Sequence, residues 1–161
     1  MFIFDNVCDL DFLSSYKTRI ENHFLSQDTP NADYSQWYPL RNIELSINDP
    51  IVEVVKNYLE TFIKMKTECY EAELQTWPIG ICADLHHHRG YGRQQGDFNS
   101  LLYLNDDFEG GEFYTNTGIT IKPKVNRLTF FNGSRVVHGV KEVKGKHRFT
   151  VILWWKNTRF H

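Results

Sequence analysis

Long apolar runs are missing from this sequence, and none approaches the roughly 18 residues that a bilayer-crossing helix requires. Its first residues, MFIFDNVCDLDF, lack both a basic stretch and an extended apolar segment, so they do not read as a secretory signal. Cysteine is scarce: Cys8, Cys69 and Cys82 are too few, too scattered and odd in number to frame a disulfide scaffold. They fit a reducing cytoplasm, where a free thiol behaves as a small buried hydrophobe. An excess of positive charge is also lacking. A formal net charge of -2 argues against general binding to nucleic-acid phosphates, which wants a basic surface. Neither nucleic acid nor a membrane is therefore expected as a partner. No linker and no repeat interrupts the 161 residues, a length that suits one domain with a sizeable core.

Aromatic residues, by contrast, are plentiful at 15%, and many sit in strand-like runs. Phe12, Leu13, Tyr16, Ile20 and Phe24 share one helical face between Asp11 and Leu25, and a polar loop, SQDTPNADYSQ, follows. Ile43, Leu45 and Ile47 alternate with polar residues, which predicts a half-buried strand. Asp49 and Pro50 predict a helix start, a side-chain cap followed by a residue of fixed φ. That helix would bury Ile51, Val54, Val55, Tyr58, Leu59 and Phe62. From Glu73 the period changes. The runs ELQTW, GICADLHHH, NSLLYLN, GGEFYT, GITIKP, RLTFF, VVHGV and RFTVILWWK are short and rich in β-branched and aromatic residues, with turn signals at Asn105–Asp107, Gly110–Gly111 and Asn132–Gly133. About eight short strands in succession predict a jelly-roll core. The fold class expected is α+β: a mainly helical support over residues 1–72 and a β core over 73–161, in one domain.

Three of seven histidines stand in a row at His86, His87 and His88. On a strand, Asp84, His86 and His88 point one way and His87 the other, so the imidazoles at i and i+2 can reach one metal ion. His138 lies in an apolar strand after a turn, where a buried imidazole needs a reason. Ten residues on, Arg148 opens the strongly apolar run RFTVILWW. An interior guanidinium must meet an anion or remain costly, and its fork grips a carboxylate in bidentate fashion. Either a protein carboxylate such as Glu142 or a ligand carboxylate would serve. Thr150 shares its face and offers a hydroxyl to the same group. Asp97 reads as a turn cap before the Asn99 strand. Trp77–Pro78 and Tyr91 are candidates for the mouth of a pocket.

The segment from about Leu74 to Lys156 resembles the catalytic core of the prolyl-hydroxylase-like 2-oxoglutarate/Fe(II) oxygenases. Four features carry the resemblance, in order: the His-bearing strand, SLLYLNDDFEGGEF, IKPKVNRLTFFNGSRVVHGV, and Arg148-Phe149-Thr150. The likeness is greatest to short bacteriophage or bacterial members. It implies a double-stranded β-helix of the cupin-like jelly-roll kind, with Fe(II), 2-oxoglutarate as cosubstrate and O2. It further implies His138 as the distal metal ligand, Arg148 holding the far carboxylate of 2-oxoglutarate, and Tyr103 and Thr150 assisting. Asn99 would be a polar pocket residue, Trp154 a wall of the cosubstrate pocket, and Gly110–Gly111 a tight turn beside it. A prolyl, peptide or amino-acid-like C–H bond is the implied target, and the host cytoplasm the place if the chain is phage-encoded.

One departure stands out. The family's first ligands are His-x-Asp or His-x-Glu, whereas this chain reads Asp84-Leu85-His86-His87-His88-Arg89. Three solutions are open: His86 and His88 with His138; Asp84 and His86, the motif reversed; or a His87-x-Arg89 register with only two protein ligands, since Arg89 has no lone pair to offer. The expected set is His86, His88 and His138, because the usual order puts histidine first and the next ligand two residues later. A neutral ligand in that place leaves the metal one charge unit more positive than in the family. The loop from Arg89 to Gly96, with Arg89, Tyr91 and Arg93, is expected to be a mobile lid over the substrate. Two other classes share these residues: a three-histidine cupin-like dioxygenase without 2-oxoglutarate, and a non-catalytic module that binds metal or 2-oxoglutarate.

Overall fold

A computed structural model describes residues 1–26, 42–88 and 98–158. Among these residues two helices, α1 (Leu10–Ser26) and α2 (Pro50–Phe62), accompany twelve strands. The strands are β1 (Phe2–Asp5), β2 (Ile43–Glu44), β3 (Thr67–Trp77), β4 (Ala83–His86), β5 (Phe98–Tyr103), β6 (Glu109–Gly110), β7 (Phe113–Thr115), β8 (Thr120–Ile121), β9 (Arg127–Asn132), β10 (His138–Val140), β11 (Val143–Lys144) and β12 (Arg148–Asn157). All pairings are antiparallel. Six strands form a large sheet in the order β1-β9-β5-β12-β3-β2, four form a second in the order β4-β10-β7-β8, and β11 pairs with β6. This is the jelly-roll β core with supporting helices that the alternation predicted. No described helix is long and apolar enough to cross a membrane.

The helices form where their ends are capped. Asp9 accepts hydrogen bonds from the backbone N–H groups of Asp11 (2.9 Å) and Phe12 (3.0 Å), which would otherwise be orphaned at the start of α1. Asp49 accepts from Ile51 N–H at 3.1 Å at the start of α2 and also receives the Tyr16 hydroxyl, which fastens the two helices together. Leu13, Ile20 and Phe24 from α1 and Ile51, Val55 and Leu59 from α2 then close over one face of the large sheet, against Leu74, Leu102, Leu128, Val151, Leu153 and Trp155. Each such side chain, once withdrawn from water, contributes about 1.5–3 kcal/mol. The indole N–H of buried Trp155 donates to Ser100 Oγ at 2.8 Å, so that donor is satisfied within the core.

The other face of that sheet has a different task. Because side chains alternate, β12 turns Val151 and Leu153 to the helices and Ile152 and Trp154 to the opposite side, where they meet Leu101 and Tyr103 of β5. A cavity of about 560 Å³ lies there, closed from the far side by β4, β7 and β10.

Several details differ from the sequence reading. β1 was not foreseen; it pairs with β9 and is tied by Asp5 to Arg127 at 2.7 Å. β2 is only two residues long, and Ile47 beyond it is exposed because the chain turns toward α2. In α2 it is Val52 that enters the core, whereas Phe62 is exposed and packs on the rings of Phe4 and Tyr58. β3 begins at Thr67, six residues before the expected change of period at residue 73.

Candidate active site

β4 and β10 lie side by side with His138 directly across from His86. His88 follows two residues after His86, and its backbone N–H donates to the Gly133 carbonyl at 2.7 Å. One ligand atom from each of His86, His88 and His138 lies within 4.8 Å of the other two. The ring centroids are 4.6 Å apart for His86–His138, 4.7 Å for His88–His138 and 5.4 Å for His86–His88. Asp84 and His87 are exposed and stand outside this group.

Each imidazole is held by one nitrogen. His86 Nδ1 lies 2.7 Å from the Asp84 carbonyl, and His138 Nδ1 lies 2.9 Å from that of Val136. A carbonyl only accepts, so both Nδ1 atoms carry the proton and both Nε2 atoms keep a free lone pair. His88 Nδ1 is 2.8 Å from Asn99 Oδ1, which sets the same tautomer. Burial pushes the pKa of His138 down to about 3 from an ordinary 6.5; His88, His86 and His87 push the same way, and the Val136 hydrogen bond only partly opposes them. His138 is therefore neutral at physiological pH, the form that ligates metal. Its ring stacks on Phe113, with centroids 5.0 Å apart and planes 14° from parallel.

The turn after β9 makes this approach possible. Asn132 Oδ1 accepts from Ser134 N–H and Oγ–H and from Arg135 N–H. It thereby folds the chain so that Gly133 passes Asn99 and His88. A Cβ at Gly133 would lie 2.0 Å from Asn99 Oδ1 and 2.7 Å from His88 Nδ1, so only glycine fits.

Arg148 opens β12 and is 1% exposed. Among the described residues no group hydrogen-bonds its Nε, Nη1 or Nη2; Glu142, the protein carboxylate considered for it, is not a partner. Its guanidinium carbon sits 5.0 Å from the Trp77 ring and 5.2 Å from the Tyr103 ring. Burial lowers its pKa, and Tyr103 opposes that shift. Aromatic faces offset a fraction of the desolvation cost, about 0.5–2 kcal/mol each, against several for the ion. Two more buried polar atoms next to it lack a partner: the Tyr103 hydroxyl and Thr150 Oγ1, on residues directly paired between β5 and β12. Three such groups converging in one place match a carboxylate bound by the guanidinium fork and two hydroxyls. The imidazole set and this anion pocket together fit a divalent metal with a dicarboxylate cosubstrate.

The expected residues are thus largely brought together. Arg148 and Trp154 line the cavity along with His86, His88 and His138, while Tyr103, Thr150 and Asn99 are fully buried beside them. Gly110 and Gly111 both have positive φ (+69° and +66°), and Gly111 lies against Arg148 Cδ, where a Cβ would be 3.1 Å away. Trp77 lines the cavity, whereas buried Pro78 does not. Arg89, Tyr91, Arg93 and Asp97, with the rest of the proposed lid, lie outside the described residues. The sequence reading missed Gly133, Asn42, Glu73 and Gln75, of which the last three line the cavity. The signal for Glu73 and Gln75 was present: with Trp77 they alternate with Leu74 and Thr76, on the face of β3 turned from the helices.

Known proteins agree with this geometry. Residues 80–156 match the family model of the 2OG-Fe(II) oxygenase superfamily. Over 66 residues the chain is 44% identical to prolyl 3-hydroxylase 2 of Rattus norvegicus, covering 37% of this chain and 9% of that protein. Prolyl 3-hydroxylase 1 of Gallus gallus is 40% identical over 67 residues. The chain thus spans less than a tenth of the curated relative's length in the matched segment. Among solved structures, the viral collagen prolyl hydroxylase of Paramecium bursaria Chlorella virus-1 superposes with a TM-score of 0.70 at 14% identity, over 98% of this chain and 96% of that one. A Pseudomonas putida prolyl-4-hydroxylase superposes with a TM-score of 0.68 at 15% identity, over 97% and 91%. At such identities the likeness is one of fold. Residues 80–156 are thus similar to the 2OG-Fe(II) oxygenase superfamily, a segment just short of half the chain, and the solved prolyl hydroxylases share its fold.

Proposed function

We propose that this chain, as one domain, is an Fe(II)- and 2-oxoglutarate-dependent oxygenase that hydroxylates a C–H bond of a peptide or amino-acid-like substrate, prolyl groups being the first class to test. The observation that carries this reading is Arg148, a fully buried cation whose three nitrogens meet no partner among the described residues. Bound Fe(II), with O2 and 2-oxoglutarate, supplies the oxidising power for hydroxylation, the cosubstrate leaving as succinate and CO2. His86, His88 and His138 would hold the metal through Nε2, each locked in one tautomer by its Nδ1–H. Arg148, Tyr103 and Thr150 would bind the distal carboxylate of 2-oxoglutarate, with Trp154 as a wall. Asn99 orients His88 and offers an amide to the pocket. Phe113 and Phe131 pack on the His138 ring and hold that imidazole in an apolar wall, which strengthens its polar contacts and limits water there. The unpaired thiols of Cys8, Cys69 and Cys82 support a reducing, cytoplasmic setting.

The test is an anaerobic Fe(II) titration with and without 2-oxoglutarate, watching for the visible charge-transfer band of a chelated keto acid. The band is expected in the parent, absent in His88→Ala and strongly weakened in Arg148→Met. Tight metal binding with no band at any 2-oxoglutarate concentration would overturn this reading. It would favour instead a three-histidine dioxygenase that uses no keto acid.

A further inference from the structure

β3 contributes a row of side chains to the cavity that the metal and cosubstrate do not require. The Trp77 indole N–H donates to Gln75 Oε1 (3.3 Å), and Gln75 Nε2 donates to Glu73 Oε2 (3.3 Å). From another side, Thr76 backbone N–H donates to Asn42 Oδ1 (3.3 Å), and Asn42 Nδ2 donates to the same Glu73 Oε2 (3.2 Å). The orientation of both amides is fixed by chemistry. An indole N–H and a backbone N–H can only donate, so the oxygen of each amide must face them. Each NH2 is then left pointing at Glu73. Two one-way relays converge on one carboxylate oxygen, a terminus that suits an ionised acceptor. Glu73 Oε1 receives nothing from the described residues, and Glu73 lines the cavity.

Charge is divided along the same wall. Arg148 pairs in register with Trp77, and Glu73 lies four residues back along β3, across from Ile152. At ~3.3 Å per residue the two charged positions are about 13 Å apart along the strand. They do not neutralise each other, since Arg148 has no such partner. The cavity therefore has an anion-binding pole at Arg148 and a cation-binding pole at Glu73. Glu73 lines the same cavity, of about 560 Å³, as His86, His88 and His138, so a group held at the second pole shares that space with the imidazoles.

We propose that Glu73, held by Asn42 and Gln75, anchors an ammonium group of the substrate, which makes the preferred substrate an amine-bearing one. This deepens the oxygenase reading and rests on it for the reaction, though not for binding. The ammonium comes from a free amino compound or from a basic side chain of a peptide; both present the same charged donor to Oε1.

Equilibrium dialysis of n-butylammonium, 1-butanol and butyrate against the anaerobic Fe(II)/2-oxoglutarate protein tests the anchor directly. Butylammonium is expected to bind at least tenfold more tightly than the alcohol, with butyrate weakest. Glu73→Gln should bring butylammonium to the level of the alcohol, and Glu73→Asp should fall between. An unchanged charge-transfer band in these variants shows that the fold and cosubstrate pocket persist. A parent with no preference for the ammonium, or a preference that survives Glu73→Gln, overturns the proposal. Should the parent show no band, the oxygenase reading fails alone, because dialysis without metal still reports the ammonium preference. A lysine tripeptide blocked at both ends, compared with free butylammonium, distinguishes a peptide source from a small molecule.

Discussion

Replacing Gly133 by alanine should weaken metal binding although Gly133 is no ligand and its backbone conformation suits any residue. The new methyl carbon would stand 2.0 Å from Asn99 Oδ1, at least about 1.4 Å short of the 3.4 Å of an ordinary contact. His88 Nδ1, at 2.7 Å, is crowded by the same atom. Asn99 is fully buried on β5 and pairs in register with Phe131 and Trp154, so its backbone has little room to retreat. Its side chain must rotate instead, and a displacement of that size carries the 2.8 Å bond to His88 beyond hydrogen-bond length. His88 then loses the contact that fixes its tautomer. Losing the partner of a metal-bound imidazole costs about 10–100-fold in affinity, or about 1.4–2.8 kcal/mol. Anaerobic Fe(II) titration is the assay, with circular dichroism and thermal melting of the metal-free protein as the check on folding. In an Asn99→Ala background the same change should cost less, since the Asn99 clash and hydrogen bond are already gone and only the 2.7 Å approach to His88 Nδ1 remains. Unchanged affinity in a folded Gly133→Ala variant would refute the claim that Asn99 sets the pose of His88.

Other outcomes follow from the same contacts. Arg148→Met should raise or leave unchanged the melting temperature without 2-oxoglutarate, since it removes an unpaired buried cation while keeping most of its volume, yet it should abolish stabilisation by added 2-oxoglutarate. Gly111→Ala places a Cβ 2.9 Å from the Phe108 ring and 3.1 Å from Arg148 Cδ at φ +66°; a loss of about 1–2 kcal/mol in denaturant unfolding and weaker 2-oxoglutarate binding are expected. Asp5, beside Arg127 and Lys124, has its pKa lowered to about 2 from 3.8. A carboxyl whose folded pKa lies below its unfolded one stabilises above the unfolded value and loses that contribution as pH falls toward the folded one. Asp5→Asn should therefore melt below the parent at pH 7, with the difference shrinking from pH 4 to pH 2.

What the residue pattern revealed, and what it hid, has a physical basis. α1 and α2 were legible because a cap and a periodic apolar stripe are local properties, and Asp49–Pro50 marks its boundary with chemistry that few other positions use. β1 escaped because FIFD is an edge strand exposed at Phe2 and Ile3; its pairing with β9 involves residues more than a hundred positions away. Phe62 looked like core because its partner ring, Phe4, comes from that unseen strand. Strand alternation placed His86 and His88 on one face and singled out His138 and Arg148 as interior polar groups. It could not decide among Asp84, His86, His87 and His88, since that depends on how β4 lies against β10. Gly133 was invisible for a similar reason: its necessity comes from Asn99 and His88, neither of them near it in the chain.

β12 serves two masters at once. Phe149, Val151, Leu153 and Trp155 lock under the helices, while Arg148, Ile152 and Trp154 furnish the cavity and Thr150 is buried between them. A one-residue insertion between Arg148 and Trp154 would exchange part of the two sets, pushing chemistry into the apolar core and core into the chemistry. Frame-preserving drift in the sequence is thus confined to like-for-like exchange along this strand. Variation in what the cavity accepts must come from β3 and the connections around the rim, which can change without moving the register of the sheet.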